Sequence, residues 1–301
     1  MTIPRLVSVG ATCLTTIYRV DAIPAAPGKA LAHQAARVTD GMAISAACAF
    51  QRLGGNAAIW ARVGADAQGR AMKAELAETG VNVDAIRECP GGNSSHASVT
   101  VDAKGERIVI VYHDPGLDPD PAWLPLADLA KADFVHSDVR WIQGSVHALT
   151  AARARGLRVM VDAETTAPDI LATLVPLATH AVFSDAGLAV HTGIADVEEG
   201  LRAVVARKTH AHVGASCGAK GYYWIEDGAL RHVPAPRIDA VDTLAAGDVF
   251  HGALALGLAE GRSIAQAAQL ACAAASLKCT KFGGRLGCPT RDEAEAFMRG
   301  A

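Results

Sequence analysis

The chain has 301 residues, 50% hydrophobic and 20% charged, with a formal net charge of −3. That length can bury one large α/β core or two small ones; the charge balance excludes the basic surface that nucleic acid requires, and no apolar run reaches membrane-spanning length. The opening Met1-Thr2-Ile3-Pro4-Arg5 runs straight into a strand-like segment, which argues against a signal peptide and leads to the expectation of a soluble, cytoplasmic protein.

Taken in order, residues 6–10 read as a buried strand, 43–53 as a helix closed by Gly54-Gly55, 57–64 as a strand and 68–79 as a helix closed by Gly80. Two alternating segments, 95–101 and 107–112, flank a hairpin turn at Asp102-Ala103-Lys104-Gly105-Glu106. From there strands at 132–137, 158–162, 180–184, 210–215 and 222–225 follow, with helices at 144–155 and 197–207 and two more starting near Gly247 and Ser263. Alternation of strand and helix argues for a mainly parallel, doubly wound sheet with helices on both faces. The segments 15–38 and 95–112 break that rhythm, and a small sheet built from them would project as a lid. The seven cysteines (13, 48, 89, 217, 272, 279 and 288) are odd in number, with no CxxC pair and no zinc-type spacing with histidine. They read as buried thiols, and no metal-ligand set is expected.

The most informative stretch is Asp242-Thr243-Leu244-Ala245-Ala246-Gly247-Asp248, directly before an apolar-periodic helix. A helix start presents unpaired N–H groups and the positive end of its dipole, and so attracts anions. Ala245, Ala246 and Gly247 would let a phosphate approach the backbone, with the Asp248 carboxylate beside it to take a proton. That combination suits phosphoryl transfer to an alcohol. The plainer alternative is a small-residue turn capped by a helix-terminal acid.

Further motifs agree in order and spacing. Ala61-Arg62-Val63-Gly64-Ala65-Asp66-Ala67-Gln68-Gly69 resembles the GxVGxDxxG signature of the ribokinase-type (PfkB) carbohydrate kinases; residues 242–248 resemble the family's DTxGAGD, and Ser216-Cys217-Gly218-Ala219-Lys220-Gly221 its TxGxxG nucleotide loop. The resemblance covers essentially the whole chain. It implies a single α/β kinase domain over 1–301, a ribokinase-like doubly wound sheet, and a β-sheet lid from about 12–38 and 93–114. It also implies ATP and Mg²⁺ as cofactors and a homodimer formed through the lid. Asp138-Val139-Arg140-Trp141, Pro27-Gly28-Lys29, Gly105-Glu106-Arg107-Ile108 and Leu277-Lys278-Cys279-Thr280 resemble the branch that phosphorylates 6-deoxy-6-sulfofructose. There Arg140 and Lys29 would hold a sulfonate, a sensible use of two cations.

The resemblance makes Asp248 the general base and gives the N–H groups of Ala245, Ala246 and Gly247 the developing phosphoryl charge. Asp242, Thr243, Ser184, Ser216, Gly218 and Gly221 would serve the nucleotide, with Asp162 and Ser184 reaching the phosphates through water. Thr15, Lys29, Asp40, Gly41 and Arg140 would face the sugar. Magnesium would be held by phosphates and water. Asp248, at a helix start, is expected to have a low pKa.

Departures from the family pattern fall mostly on the sugar side. Thr15 stands where the family has Asp, Asp40 where it has Gly, and Val111 where the sulfonate branch has Asn; Ser184 and Gly187 replace an Asn and a Glu near the phosphates, and Ala245 replaces a Gly. The last change is mild if the local φ is negative. Asp40 either bonds sugar hydroxyls or repels an anionic substrate, and Arg140 is alternatively a surface arginine stacked on Trp141. Three function classes follow: a kinase for a ketohexose-like sugar, sugar acid or sulfofructose; a kinase of the same fold for a pentose or nucleoside; and a sugar- or nucleotide-binding protein without turnover. A dinucleotide oxidoreductase fits poorly, since Gly10-Ala11-Thr12 lacks GxGxxG.

Overall fold

The computed structural model describes residues 2–300. Strand β1 (Arg5–Val9) buries Leu6, Val7 and Val9 on alternating sides, the pattern of a strand covered on both faces. The chain then leaves the main sheet for β2 (Cys13–Arg19) and β3 (Gln34–Asp40) and returns through α1 (Met42–Arg52), β4 (Asn56–Gly64), α2 (Ala67–Glu78) and β5 (Ile86–Cys89). A second excursion gives β6 (His96–Val101) and β7 (Arg107–Tyr112), and alternation resumes with β8 (Phe134–Ser137), α3 (Ile142–Ala154), β9 (Arg158–Ala163), α4 (Pro168–Leu174), β10 (His180–Ser184), α5 (Asp185–Thr192), α6 (Val197–Val205) and β11 (His212–Ser216). A hairpin of β12 (Tyr222–Glu226) and β13 (Ala229–Val233) precedes the helices α7 (Ala246–Ala259), α8 (Ile264–Cys279) and α9 (Arg291–Gly300).

The main sheet runs β13-β12-β11-β10-β9-β8-β1-β4-β5 and is parallel from β11 to β5. Only β12 and β13 are antiparallel to their neighbours. One face, with Leu6, Ile59, Phe134, Met160 and Val182, packs against α1, α7 and α8. The other, with Val7, Trp60, Val135, Val161 and Phe183, packs against α3, α4 and α6. Strand order reverses at β1, between β4 and β8, which opens a crevice at the carboxyl ends of these strands. Helices α1 and α7 pack closely: a Cβ on Gly252 of α7 would meet the Ala46 carbonyl of α1 at 2.3 Å.

The expected lid is a separate four-stranded sheet, β3-β2-β6-β7. Ile17, Val38, Val99 and Val101 form its own small core and pack on Leu244 and Phe282. That contact turns the face carrying Thr15 and Ile17 toward the loop before α7. The opposite face and the edge strand leave Tyr18, Ile108, Ile110 and Tyr112 exposed. The cysteines are all unpaired and buried, as their spacing implied. No described helix is long and apolar enough to cross a membrane.

Candidate active site

The carboxyl ends of the parallel strands gather most of the expected side chains. Asp40 closes β3, Asp138 and Arg140 follow β8, Asp162 and Glu164 sit at the end of β9, Ser184 ends β10, Ser216 ends β11, and α7 enters from above with Asp248 in its first turn. A cavity of about 580 Å³ opens at the opposite ends of β1 and β4, beside Trp60, Trp123 and Lys131, and takes no part in this cluster.

Helix α7 starts without a side-chain cap. Helices α2, α5, α6 and α8 are each capped by an Asp or Ser side chain; α7, like α1, α3 and α4, has no such cap, and its N-cap is Ala245. Among the described residues no acceptor meets the N–H of Gly247 or Asp248. Ala246 departs from expectation: its N–H turns back to the Thr243 carbonyl at 3.3 Å and is not presented to a phosphate. Ala245 lies at φ 63°, in the left-handed region, so the condition under which replacing glycine was mild is not met. An L-residue there costs roughly 1–2 kcal/mol. Gly247 is different: its φ is ordinary and a Cβ on it would meet nothing within 4 Å. The fold itself does not require glycine at this position.

Asp248 overturns the expected low pKa. It keeps a partly open surface, yet burial in the cleft and then the charges of Asp162, Asp40, Glu164 and Asp138 raise its pKa well above the ordinary carboxylate value. The helix dipole has the opposite sign but is outweighed. Asp162 is raised in the same way, by burial and then by Glu164 and Asp138; its carboxylate lies 3.4 Å from the His251 ring one turn along α7. Glu164 goes the other way. Burial pushes it up, but hydrogen bonds from Thr165 and Ser184 and the nearby His251 bring it below the usual value. Burial raises Asp138 as well, so the cleft holds one carboxylate below its usual value and three above it, the separation that acid–base work uses.

Several expected roles are corrected. Asp242 does not face the cleft: it is fully buried, and its carboxylate accepts the N–H groups of Leu244, Gly283 and Gly284 at 2.8–2.9 Å. It organises the loop from beneath. The Ser184 hydroxyl caps α5 by accepting the Gly187 N–H and donates to Glu164 at 2.8 Å, so it orients that carboxylate and is not free for phosphates. Gly221 is accounted for by packing, since a Cβ there would meet the Val233 carbonyl at 2.1 Å. A Cβ on Gly41 would likewise meet the Ala11 carbonyl, at 2.2 Å. Thr243 accepts a hydrogen bond from lid residue Arg107. Ser216 donates to the Phe183 carbonyl at 3.3 Å, and Gly218, at φ 53°, opens the turn into β12 with clear space around it.

On the sugar side Thr15 is buried on the inward lid face, and Asp40 is buried and accepts from the Ser45 hydroxyl. Arg140 is exposed; its backbone N–H bonds Asp138 and its guanidinium reaches the Thr165 carbonyl at 3.3 Å, over the end of β9. It does not stack on Trp141. That place belongs to Arg62, 4.4 Å above the ring. Lys29 is exposed in the loop between β2 and β3, outside the cluster. Glu164 was missed by the sequence reading, although Asp162 and Glu164, two apart at a strand end, share a face.

Comparisons with known proteins bear on the family and the fold. A family model for pfkB family carbohydrate kinases matches residues 4–291. Ribokinase of Haemophilus influenzae is 26% identical, over 91% of this chain and 92% of that protein, and fructokinase-1 of Oryza sativa is 27% identical over 94% and 95%. The crystal structure of an Agrobacterium tumefaciens protein proposed to be a ribokinase superposes with a TM-score of 0.96 at 37% identity, covering 99% of this chain and 98% of that one. Arabidopsis thaliana ribokinase in complex with ribose and ATP shares the fold at a TM-score of 0.81 and 21% identity, over 99% of both chains. The chain is thus a member of the pfkB family of carbohydrate kinases, a phosphotransferase of ribokinase-like fold.

Proposed function

We propose that the protein moves the γ-phosphoryl group of ATP onto a hydroxyl of a sugar of the ketohexose or sugar-acid class, at the start of α7. The observation that carries this reading is the uncapped helix start, with free N–H groups at Gly247 and Asp248 and open space over Gly247. Asp248 takes the hydroxyl proton as the sugar oxygen bonds to phosphorus and the bond to the leaving ADP oxygen breaks. The N–H groups at 247 and 248 meet the charge on the transferring group. Its raised pKa makes Asp248 a stronger base than an exposed carboxylate once deprotonated.

Magnesium, when bound, would neutralise the nucleotide phosphates. A metal carried in by ATP would have Glu164 meeting its water shell. Asp40 and Thr15 would accept and donate to sugar hydroxyls. Arg140 supports an acidic group at the far end of the substrate, and Lys29 would join it only on lid closure. Val109 and Val111, on the inward face of the edge strand, would be covered by that closure. The chain would act as one kinase domain with its lid. A cytoplasmic setting suits its unpaired thiols. A second copy would cover the outer lid face, where Tyr18, Tyr112, His96 and Arg37 line a groove of about 570 Å³.

The substitution Gly247→Ala tests the site directly. Alanine should stabilise the nucleotide-free protein by about 0.5–1 kcal/mol, because glycine in a helix is unfavourable and nothing obstructs the methyl group. The same methyl should weaken ATP binding or turnover at least tenfold. A thermal melt beside a nucleotide titration checks both; a variant that binds and turns over normally contradicts the placement of the phosphate.

A further inference from the structure

Lys278, in the last turn of α8, is 0% exposed. A lysine in such a place needs partners for its ammonium, and among the described residues all of them come from Asp242. The Nζ donates to the Asp242 carbonyl at 2.5 Å and lies 3.6 Å from its carboxylate Oδ1. Asp242 is the first residue of the loop that presents the open helix start. Its carboxylate holds Leu244, Gly283 and Gly284 by their N–H groups, and its own N–H, with that of Val241, returns to the Cys279 carbonyl next to Lys278. The end of α8 and the phosphate-facing loop are therefore joined through one buried ion pair.

Stability alone explains this pair poorly, since a buried pair often gains little over apolar packing. Its location explains more. Asp242 adds a buried negative charge just below a loop that must receive phosphate, beside a cleft already holding Asp40, Asp138, Asp162, Glu164 and Asp248. A cation under Asp242 cancels that charge and fixes the direction of its carbonyl and carboxylate.

We propose that Lys278 is a positioning residue that supplies, from the chain itself, the cation the phosphate loop needs to be shaped for nucleotide. This rests on the reading that the start of α7 is the transfer site. Removing the ammonium would leave a carbonyl and a carboxylate oxygen facing a hole, an oxygen donor set suited to a monovalent ion of ammonium size.

The test measures ATP affinity by titration and thermal stability in choline, potassium and ammonium chloride at equal ionic strength. Three proteins are compared: wild type, Lys278→Ala, which leaves the hole, and Lys278→Met, which fills it. The wild type should be indifferent to the cation. Lys278→Ala should bind ATP about tenfold more weakly in choline and recover in potassium or ammonium, whereas Lys278→Met should stay weak in all three. A lysine serving only packing would be helped by the methionine and unmoved by cation identity. Tighter ATP binding by the wild type in potassium than in choline, or equal ATP affinity of Lys278→Ala in all salts, would overturn the proposal. That readout is separate from the site itself, whose failure would appear as unaltered turnover in Asp248→Asn.

Discussion

Asp248→Asn should keep ATP binding and lose turnover by about 10²–10⁴-fold, the contribution of a positioned general base. It should also melt at a higher temperature than the wild type. The sign follows from linkage. The folded pKa of Asp248 is raised above its ordinary value of 3.8 by burial and by neighbouring carboxylates, so the folded protein holds its proton more tightly than the unfolded chain. The stability that this gives is complete below the ordinary value and is lost as pH rises through the raised one. Above that raised value the ionised carboxylate is thus a liability that asparagine removes. In the wild type, kcat/KM should fall with acid along a limb lying above the ordinary carboxylate range, and the coupling to Asp162 makes the apparent value a property of the pair. Calorimetry, steady-state rates and a pH profile check the three statements. Near-wild-type turnover in this variant would remove Asp248 from the chemistry.

The second large effect concerns the base of the lid. Arg285 is buried, and its guanidinium donates to the Thr39 carbonyl and to Glu75, both at 2.5 Å. Glu75 in turn accepts the Thr39 N–H and hydroxyl. Thr39 lies near the end of β3, where the lid strand re-enters the main domain, so this network fixes the hinge. Glu75→Ala would leave the buried guanidinium with only the neutral Thr39 carbonyl to meet its charge, and the Thr39 N–H and hydroxyl without the carboxylate they donate to. Breaking a buried pair costs about 3–5 kcal/mol, and the low end applies because the Glu75 side chain is 34% exposed. We expect a loss of about 3 kcal/mol in urea unfolding, with the KM for sugar raised as the lid loses its register. Arg285→Met, which removes the buried charge itself, should cost less. Equal losses in the two variants would show that the guanidinium is not the element being held.

The sheet and its helices were legible because buried parallel strands and amphipathic helices write different periods, and the lid because its two segments interrupt the alternation. What escaped was short or locally ambiguous. Strand β5 has four residues and pairs only with the end of β4. Helix α5 follows β10 with no intervening loop, and α9 buries little beyond Ala294. The hairpin at Asp227-Gly228 did carry a signal, since both residues have the positive φ of a tight two-residue turn.

At the site, the loop and Asp248 could be read from small residues before a helix. The electrostatics could not. The low pKa expected of Asp248 followed from its own helix, whereas Asp40, Asp138, Asp162 and Glu164 arrive from three strand ends far away in sequence. Asp242 and Ser184 were placed at the nucleotide by resemblance to the family's motifs; burial and hydrogen bonding give them to the loop and to Glu164.

The most direct test of the account is ADP release with Mg·ATP over a panel of 6-deoxy-6-sulfofructose, fructose, fructose 6-phosphate, 2-keto-3-deoxygluconate, ribose and adenosine, each run with the wild type and Asp248→Asn. The account predicts sugar-dependent ADP release from a ketohexose or sugar acid in the wild type only. Release on adenosine alone would contradict the substrate class, and equal release by both proteins would contradict the site.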